Sequence, residues 1–168
     1  MYSTSRARVP HRKGADGSPT IPNFGRLVLL VEDDPDIRSL VAEHLTTAGF
    51  DVCLAQNGEI AMQVIRDRLP GVVCLDLNLP RNSGYDVCEQ IRADLAIKDI
   101  SILITSARNS LDVRVFSLEA GADAYLTKPY GMNQLTDEIE RLFELRTRNQ
   151  SEASMGGEGK ASRRMGNG

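Results

Sequence analysis

The chain has no apolar run that approaches the roughly 20 residues needed to span a bilayer. Its first 25 residues contain several basic side chains but no apolar core segment, which excludes a secretory signal peptide. Together these two absences predict a cytoplasmic protein without a membrane span.

Cysteine is scarce, and its positions exclude the usual cysteine chemistry. The three residues, Cys53, Cys74 and Cys88, are an odd number and lack the spacing of a metal site. We therefore expect small buried hydrophobic side chains in a reducing compartment.

Positive charge is lacking in the middle of the chain and concentrated at its ends. Residues 1–25 carry four basic residues and one acidic residue, and residues 146–168 carry five and two, so each end is net +3. The total is −3, which leaves −9 for the segment between them. An acidic surface of this kind argues against direct binding of DNA.

The composition divides the chain into three parts. Residues 1–25 are predicted to be a disordered basic tail, and residues 147–168 a disordered tail rich in Gly and Ser. Residues 26–146 are long enough for one domain with a sizeable core.

Five apolar runs alternate with five helical patterns in the central segment. Strands are predicted at 27–31, 51–55, 72–76, 100–105 and 123–127. Asp34 and Pro35 begin the first helix, whose apolar stripe consists of Ile37, Leu40, Val41 and Leu45. Strict alternation predicts an α/β fold, a doubly wound parallel sheet with helices on both faces. The order 2-1-3-4-5 would place the first strand beside the third.

Polar residues follow the apolar runs at several predicted strand ends. Glu32 and Asp33 follow the first strand, and Asp76 ends the third. Because parallel sheets place their sites at the carboxyl ends of strands, we expect these acids to converge. Converging carboxylates suit Mg²⁺, with Glu32, Asp33, Asp76 and the backbone carbonyl of Asn78 as ligands.

The remaining polar residues at strand ends predict phosphoryl transfer. Asp76 can act as a nucleophile and form an acyl phosphate. Lys128 supplies a compact positive charge, and Ser106 a hydroxyl for a phosphoryl oxygen.

Four segments, in this order and spacing, resemble the receiver domain of bacterial two-component response regulators, the CheY-like family with a flavodoxin-like (βα)5 fold. They are Val31-Glu32-Asp33-Asp34-Pro35-Asp36-Ile37-Arg38, Asp76-Leu77-Asn78-Leu79-Pro80 with Gly84, Thr105-Ser106-Ala107-Arg108, and Gly121-Ala122-Asp123-Ala124-Tyr125-Leu126-Thr127-Lys128-Pro129. The resemblance covers residues 26–145.

The resemblance implies roles for individual residues. Asp76 would be the phosphoacceptor, Glu32 and Asp33 the Mg²⁺-binding pair, and Lys128 the phosphate-site lysine. Tyr125 would be the switch aromatic. Thr105 and Ser106 could each be the switch hydroxyl. Ser106 lies 22 positions before Lys128, which is the usual gap in the family and favours Ser106.

Three further expectations come from the same resemblance. The peptide bond between Lys128 and Pro129 would be cis. Asn78 and Arg108 would tune the lifetime of the acyl phosphate. The acid pair departs from the family's usual pair of aspartates, and the longer Glu32 could contact the cation through a water.

The implied function is a signalling switch. A sensor histidine kinase or a phosphotransfer protein would donate the phosphoryl group to Asp76 with the help of Mg²⁺. The domain would catalyse only its own phosphorylation and dephosphorylation. Phosphorylation would change the face formed by the fourth helix, fifth strand and fifth helix, which would bind a downstream protein effector or a second copy of the chain.

Two alternatives belong to other classes of protein. A phosphohydrolase with an aspartate nucleophile typically carries a second aspartate two residues later, where this chain has Asn78. A longer transcriptional regulator would need a DNA-binding domain, and the segment after the last predicted helix is too short for a helix-turn-helix. The chain is therefore expected to be either a stand-alone receiver or the receiver fragment of a longer regulator.

Overall fold

Five parallel strands form one sheet in the order β2-β1-β3-β4-β5 in the computed structural model, which describes residues 26–80 and 83–155. The strands are β1 (Leu27–Val31), β2 (Asp51–Ala55), β3 (Val72–Asp76), β4 (Ser101–Ser106) and β5 (Ala124–Thr127). The helices are α1 (Pro35–Thr47), α2 (Gly58–Arg68), α3 (Gly84–Ala93), α4 (Leu111–Glu119) and α5 (Met132–Met155). The predicted α/β class, strand order and alternation are confirmed.

The central strands are buried on both faces of the sheet, which is why they read as continuous apolar runs. Along β1, Val28 and Leu30 face a core that α1 and α5 complete with Val41, Leu45, Leu135, Ile139 and Leu142. Leu29 and Val31 face a second core, built with residues of α2 and α3 that include Ala61, Ile65, Val87, Cys88 and Ile91. Successive side chains of a strand point to opposite faces, so a single run of five apolar residues supplies both cores.

Helix α1 begins where the sequence predicts, although its apolar stripe is only half buried. Asp34 Oδ1 accepts hydrogen bonds from the backbone N–H groups of residues 36 and 37, at 2.9 and 3.0 Å. Val41 and Leu45 are buried, whereas Ile37 is 41% and Leu40 59% exposed. Leu40 lies about 100° around the helix from Val41, so the two cannot face the sheet equally.

The three cysteines have no disulfide partner. Cys53 in β2 and Cys74 in β3 lie on opposite sides of β1, and Cys88 lies in α3. Burial raises the pKa of Cys74 and of Cys88 to about 12, so both thiols stay protonated at neutral pH. Their role in the described structure is packing.

The chain continues as helix beyond the predicted domain boundary. Helix α5 ends at Met155, whereas the predicted domain ends at residue 146. Residues 147–155 contain neither Gly nor Pro, and the first Gly pair stands at 156–157. The predicted tail at 1–25 and the rest of the C-terminal tail, 156–168, lie outside the described residues. None of the helices in the described ranges is both long and apolar enough to cross a membrane.

Arg92 joins the amino-terminal ends of β4 and β5 to α3. Its guanidinium donates to the carbonyls of Gly121, Lys98 and Ile100 at 2.8, 2.5 and 2.7 Å, and to Asp123 Oδ2 at 2.8 Å. Gly121 has a φ of +103°, and a Cβ there would lie 2.5 Å from Arg92 Cγ. This corner of the fold therefore needs both residues.

We expect Arg92→Met to lower the free energy of unfolding by about 2–4 kcal/mol, because three backbone carbonyls lose a donor and Asp123 loses its ion pair, although its Oδ2 still accepts from the N–H of Ile102. Chemical denaturation measures the change. Arg66→Met is the matched control, since Arg66 makes a single ion pair to Asp94 at 3.8 Å. Equal stabilities of the two variants would contradict this account.

Candidate functional site

The acid pair lies directly beyond the carboxyl end of β1. Glu32 is buried, with 4% of its surface exposed, and its Oε1 accepts from the backbone N–H of Asp34 at 3.3 Å. Asp33 is exposed. Arg38, one turn into α1, donates to the backbone carbonyls of Glu32 and Asp33 at 2.6 and 3.1 Å. The loop thus holds one carboxylate inward and leaves the other in contact with solvent.

Asp76 is the last residue of β3, and 6% of its surface is exposed. Its Oδ1 accepts from the backbone N–H of Asn78 at 2.9 Å. The loop that follows packs tightly against Gly84. A Cβ at residue 84 would lie 2.8 Å from the backbone oxygen of Asp76 and 3.0 Å from Leu77 Cα. The absence of a side chain at residue 84 therefore positions the Asp76 loop.

Lys128 binds two of the three acids. Its Nζ lies 2.5 Å from Asp76 Oδ2 and 2.8 Å from Glu32 Oε2. Burial alone would lower the pKa of Lys128, but the hydrogen bonds that its ammonium donates to the two carboxylates outweigh burial and raise the pKa above its usual range. Burial raises the pKa of the Glu32 carboxyl, an effect that the contact with Lys128 opposes. The Lys128–Pro129 peptide bond is cis, as the resemblance implies.

The donor set fits a hard divalent cation. Carboxylate oxygens of Glu32, Asp33 and Asp76 lie within 4.8 Å of one another. Oxygen-only ligands, one of them exposed to water, suit Mg²⁺, which keeps several of its waters. For Asn78 the described contact is its N–H to Asp76, so the role of its backbone carbonyl as a ligand stays a prediction.

The predicted switch residues meet at Arg108. Ser106 ends β4, is fully buried, and accepts from the backbone N–H of Arg108 at 3.1 Å. The hydroxyl of Tyr125 donates to the backbone carbonyl of Arg108. The N–H and the carbonyl of one residue are thus held from two strands. Thr105 is also buried, and it pairs with Asp76 across the sheet.

The fold therefore brings together the residues predicted for acid chemistry and, separately, those predicted for switching. Glu32, Asp33, Asp76 and Lys128 form one cluster at the carboxyl ends of β1, β3 and β5. The sequence predicts no role for Arg38. Its side chain contacts backbone carbonyls five and six residues away, and residue types in a linear pattern do not reveal these contacts.

Comparison with known proteins finds a matching family and similar proteins. A family model, the response regulator receiver domain, matches residues 28–140. The response regulator MprA of Mycobacterium sp. (strain KMS) is 38% identical over 116 residues, which are 69% of this chain and 50% of that protein. The phosphate regulon transcriptional regulatory protein PhoB of Pseudomonas aeruginosa is 34% identical over 119 residues, 71% of this chain and 52% of PhoB. The chain spans about half the length of these curated relatives.

A solved structure agrees with the observed fold. The CheY-like response regulator receiver domain protein of Methanospirillum hungatei JF-1 is similar with a TM-score of 0.69 and 25% sequence identity. The similarity covers 74% of this chain and 98% of that one. The matched part is therefore nearly the whole of that receiver.

We expect Gly84→Ala to lower the free energy of unfolding by about 1–3 kcal/mol, because the new methyl group meets backbone atoms that can move only with the Asp76 loop. Chemical denaturation measures the effect. Gly131→Ala is the control, since no atom lies within 4 Å of a Cβ built there. A Gly84 variant as stable as the Gly131 variant would show that the loop yields freely.

Proposed function

The chain belongs to the response regulator receiver family, and from that premise we propose that Asp76 accepts a phosphoryl group from the phosphohistidine of a sensor kinase or a phosphotransfer protein. The observation that carries the proposal is the cluster at the sheet edge. The buried carboxylate of Asp76 lies beside two further acids and shares the Lys128 ammonium with Glu32. A carboxylate nucleophile, a site for a cation and a fixed positive charge are the components that phosphoryl transfer needs.

The transfer is a displacement at phosphorus. A carboxylate oxygen of Asp76 forms the new P–O bond while the P–N bond to the donor histidine breaks, and the imidazole nitrogen keeps the electron pair. Lys128 stays beside Asp76 and balances charge on the phosphoryl oxygens. Glu32, Asp33 and Asp76 would hold Mg²⁺, which supplies further charge neutralisation when bound. The backbone carbonyl of Asn78 completes this set of ligands.

The contacts of Arg108 support a switch that starts at Ser106. A Ser106 hydroxyl that turns to donate to a phosphoryl oxygen gives up its bond from the N–H of Arg108. Among the contacts of the described residues, the bond from the Tyr125 hydroxyl to the Arg108 carbonyl would then remain, so β5 and the loop after β4 can rearrange together. Phosphorylation of Asp76 would in this way change the surface of the domain.

We propose that partner proteins bind to the face formed by α4, β5 and α5. Helix α4 exposes four large apolar side chains, Leu111, Val115, Phe116 and Leu118. A downstream protein effector or a second copy of the chain would cover them. The acidic surface of the domain supports protein partners and no direct contact with DNA. A cytoplasmic location, where sensor kinases phosphorylate their targets, belongs to the same proposal.

Asn78 favours storage of the phosphoryl group over turnover hydrolysis. A carboxylate at this position could act as the general acid and base of a hydrolase, whereas a side-chain amide cannot take either role. We therefore propose that the domain catalyses only its own phosphorylation and dephosphorylation. Asn78 and Arg108, each two residues beyond a site residue, would set how easily water reaches the acyl phosphate.

A second candidate is the receiver part of a longer transcriptional regulator. Its support is that the chain matches about half of PhoB, which is described as a transcriptional regulatory protein. The reading frame after Gly168 in the source gene separates this candidate from a stand-alone receiver. A frame that continues into a DNA-binding domain would favour the longer protein.

We expect wild-type protein incubated with acetyl phosphate and MgCl₂ to gain one phosphoryl group that is stable to acid and labile to base. Asp76→Asn should gain none, because the nucleophile is gone. Intact-protein mass spectrometry measures both. Asp67→Asn, at an exposed position of α2, is the control and should label like the wild type. Equal labelling of Asp76→Asn would refute the assignment.

We expect Arg108→Ala to shorten the lifetime of the acyl phosphate a few-fold, since a long exposed side chain beside the switch no longer screens water from it. Loss of the phosphoryl group after removal of acetyl phosphate gives the rate. Arg141→Ala, in α5 and paired with Glu138, is the matched control. A rate equal to that of the control would remove Arg108 from this role.

A further inference from the structure

Arg38 has an unusual set of partners. Its side chain is half-buried, and the same Nη1 atom donates to the carbonyls of both members of the acid pair, at 2.6 Å to Glu32 and 3.1 Å to Asp33. Within residues 26–80 and 83–155 no other donor reaches either carbonyl, and Arg38 forms no ion pair with a carboxylate. The guanidinium therefore holds the backbone of the acid loop and pairs with neither of its carboxylates.

Other arginines of the chain behave differently. Each of four pairs with a carboxylate: Arg26 with Glu140, Arg66 with Asp94, Arg92 with Asp123 and Arg141 with Glu138. Arg38 has three acids nearby in sequence, at positions 33, 34 and 36, yet its donors are directed to carbonyls. Attraction between opposite charges alone would favour the carboxylates.

The loop that Arg38 holds is also tied to the start of α1. Asp34 caps the helix with its side chain, its backbone carbonyl accepts from the N–H of Arg38 at 2.9 Å, and its N–H contacts Glu32 Oε1. Arg38 thus closes a ring that runs from β1 through the acid pair into α1. The orientations of the Glu32 and Asp33 side chains follow from that of this backbone.

We propose that Arg38 is a positioning residue for the cation site: by fixing the two carbonyls, it holds the carboxylates of Glu32 and Asp33 in the arrangement that binds Mg²⁺. The inference rests on the proposed function, since it concerns the same acids. Partners that orient metal ligands without touching the metal typically change its affinity by about 10–100-fold.

Charge and positioning predict opposite signs for the effect of Arg38. If the guanidinium acted only through its positive charge, it would repel a divalent cation, and its removal would strengthen Mg²⁺ binding. If it positions the acids, its removal weakens binding although a like charge is lost. Arg38→Lys separates the two effects further, because it keeps the charge and loses the planar fork.

Isothermal titration calorimetry with MgCl₂ on the unphosphorylated full chain tests the proposal, and it needs no tryptophan, which the chain lacks. We expect Arg38→Met to bind Mg²⁺ about tenfold more weakly than the wild type, at the low end of that range, and Arg38→Lys to lie between them. Arg66→Met, at the far end of α2, should bind like the wild type.

Unchanged or tighter binding by Arg38→Met would overturn the proposal. Should that variant fail to fold by circular dichroism, Arg38→Lys decides: weaker binding supports positioning, and wild-type affinity overturns it. A readout without metal accompanies the titration. Backbone NMR order parameters at residues 33 and 34 should fall in the variants, and unchanged values would count against the clamp.

These measurements keep the two levels of the proposal apart. A wild-type protein that binds no Mg²⁺ contradicts the proposed cation site itself, whatever the variants do. A wild type that binds Mg²⁺ together with an Arg38→Met variant of equal affinity contradicts only the role of Arg38.

Discussion

The site depends on one shared ammonium group. Three acids converge at the carboxyl edge of the sheet, and two of them, Glu32 and Asp76, are almost fully buried. Like charges that are buried side by side repel, so the two carboxylates need a counter-charge beside them. Lys128 contacts both, so its single positive charge offsets part of their negative charge and links the ends of β1, β3 and β5. The nucleophile predicted for phosphoryl transfer is therefore held at the sheet edge beside its counter-charge.

The topology makes this convergence possible. In the order β2-β1-β3-β4-β5 the acid pair and Asp76 follow adjacent strands, and all five strands end at one edge. Two apolar cores hold the sheet from both faces, so packing as well as polar contacts fixes the positions of the strand ends. Rigid strands with short loops place functional side chains more accurately than long loops do.

Much of this could be predicted from the sequence, because strand ends and helix caps are local. The polar residues after the apolar runs and the cap at Asp34 followed from patterns, whereas the order that pairs the first and third strands goes with the resemblance to the CheY-like fold. What escaped prediction depends on tertiary packing. The stripe of α1 shows Ile37 and Leu40 to solvent, while α4 buries the polar Ser117 against its own turn. The contacts of Arg38 depend on how a helix start folds back on a loop, and no residue spacing encodes that geometry.

Helix α5 extends beyond its last buried side chain. Its last buried side chain is Phe143, and residues 144–149, the final ones with described side chains, show none that is buried. The helix continues to Met155, so about 18 Å of it extends past the core at 1.5 Å per residue. Within this stretch Arg146 donates to the backbone carbonyl of Asp99 at 2.6 Å. The extension is therefore tied by a hydrogen bond to the segment before β4, and the absence of Gly and Pro between residues 132 and 155 lets the helix run on past that tie.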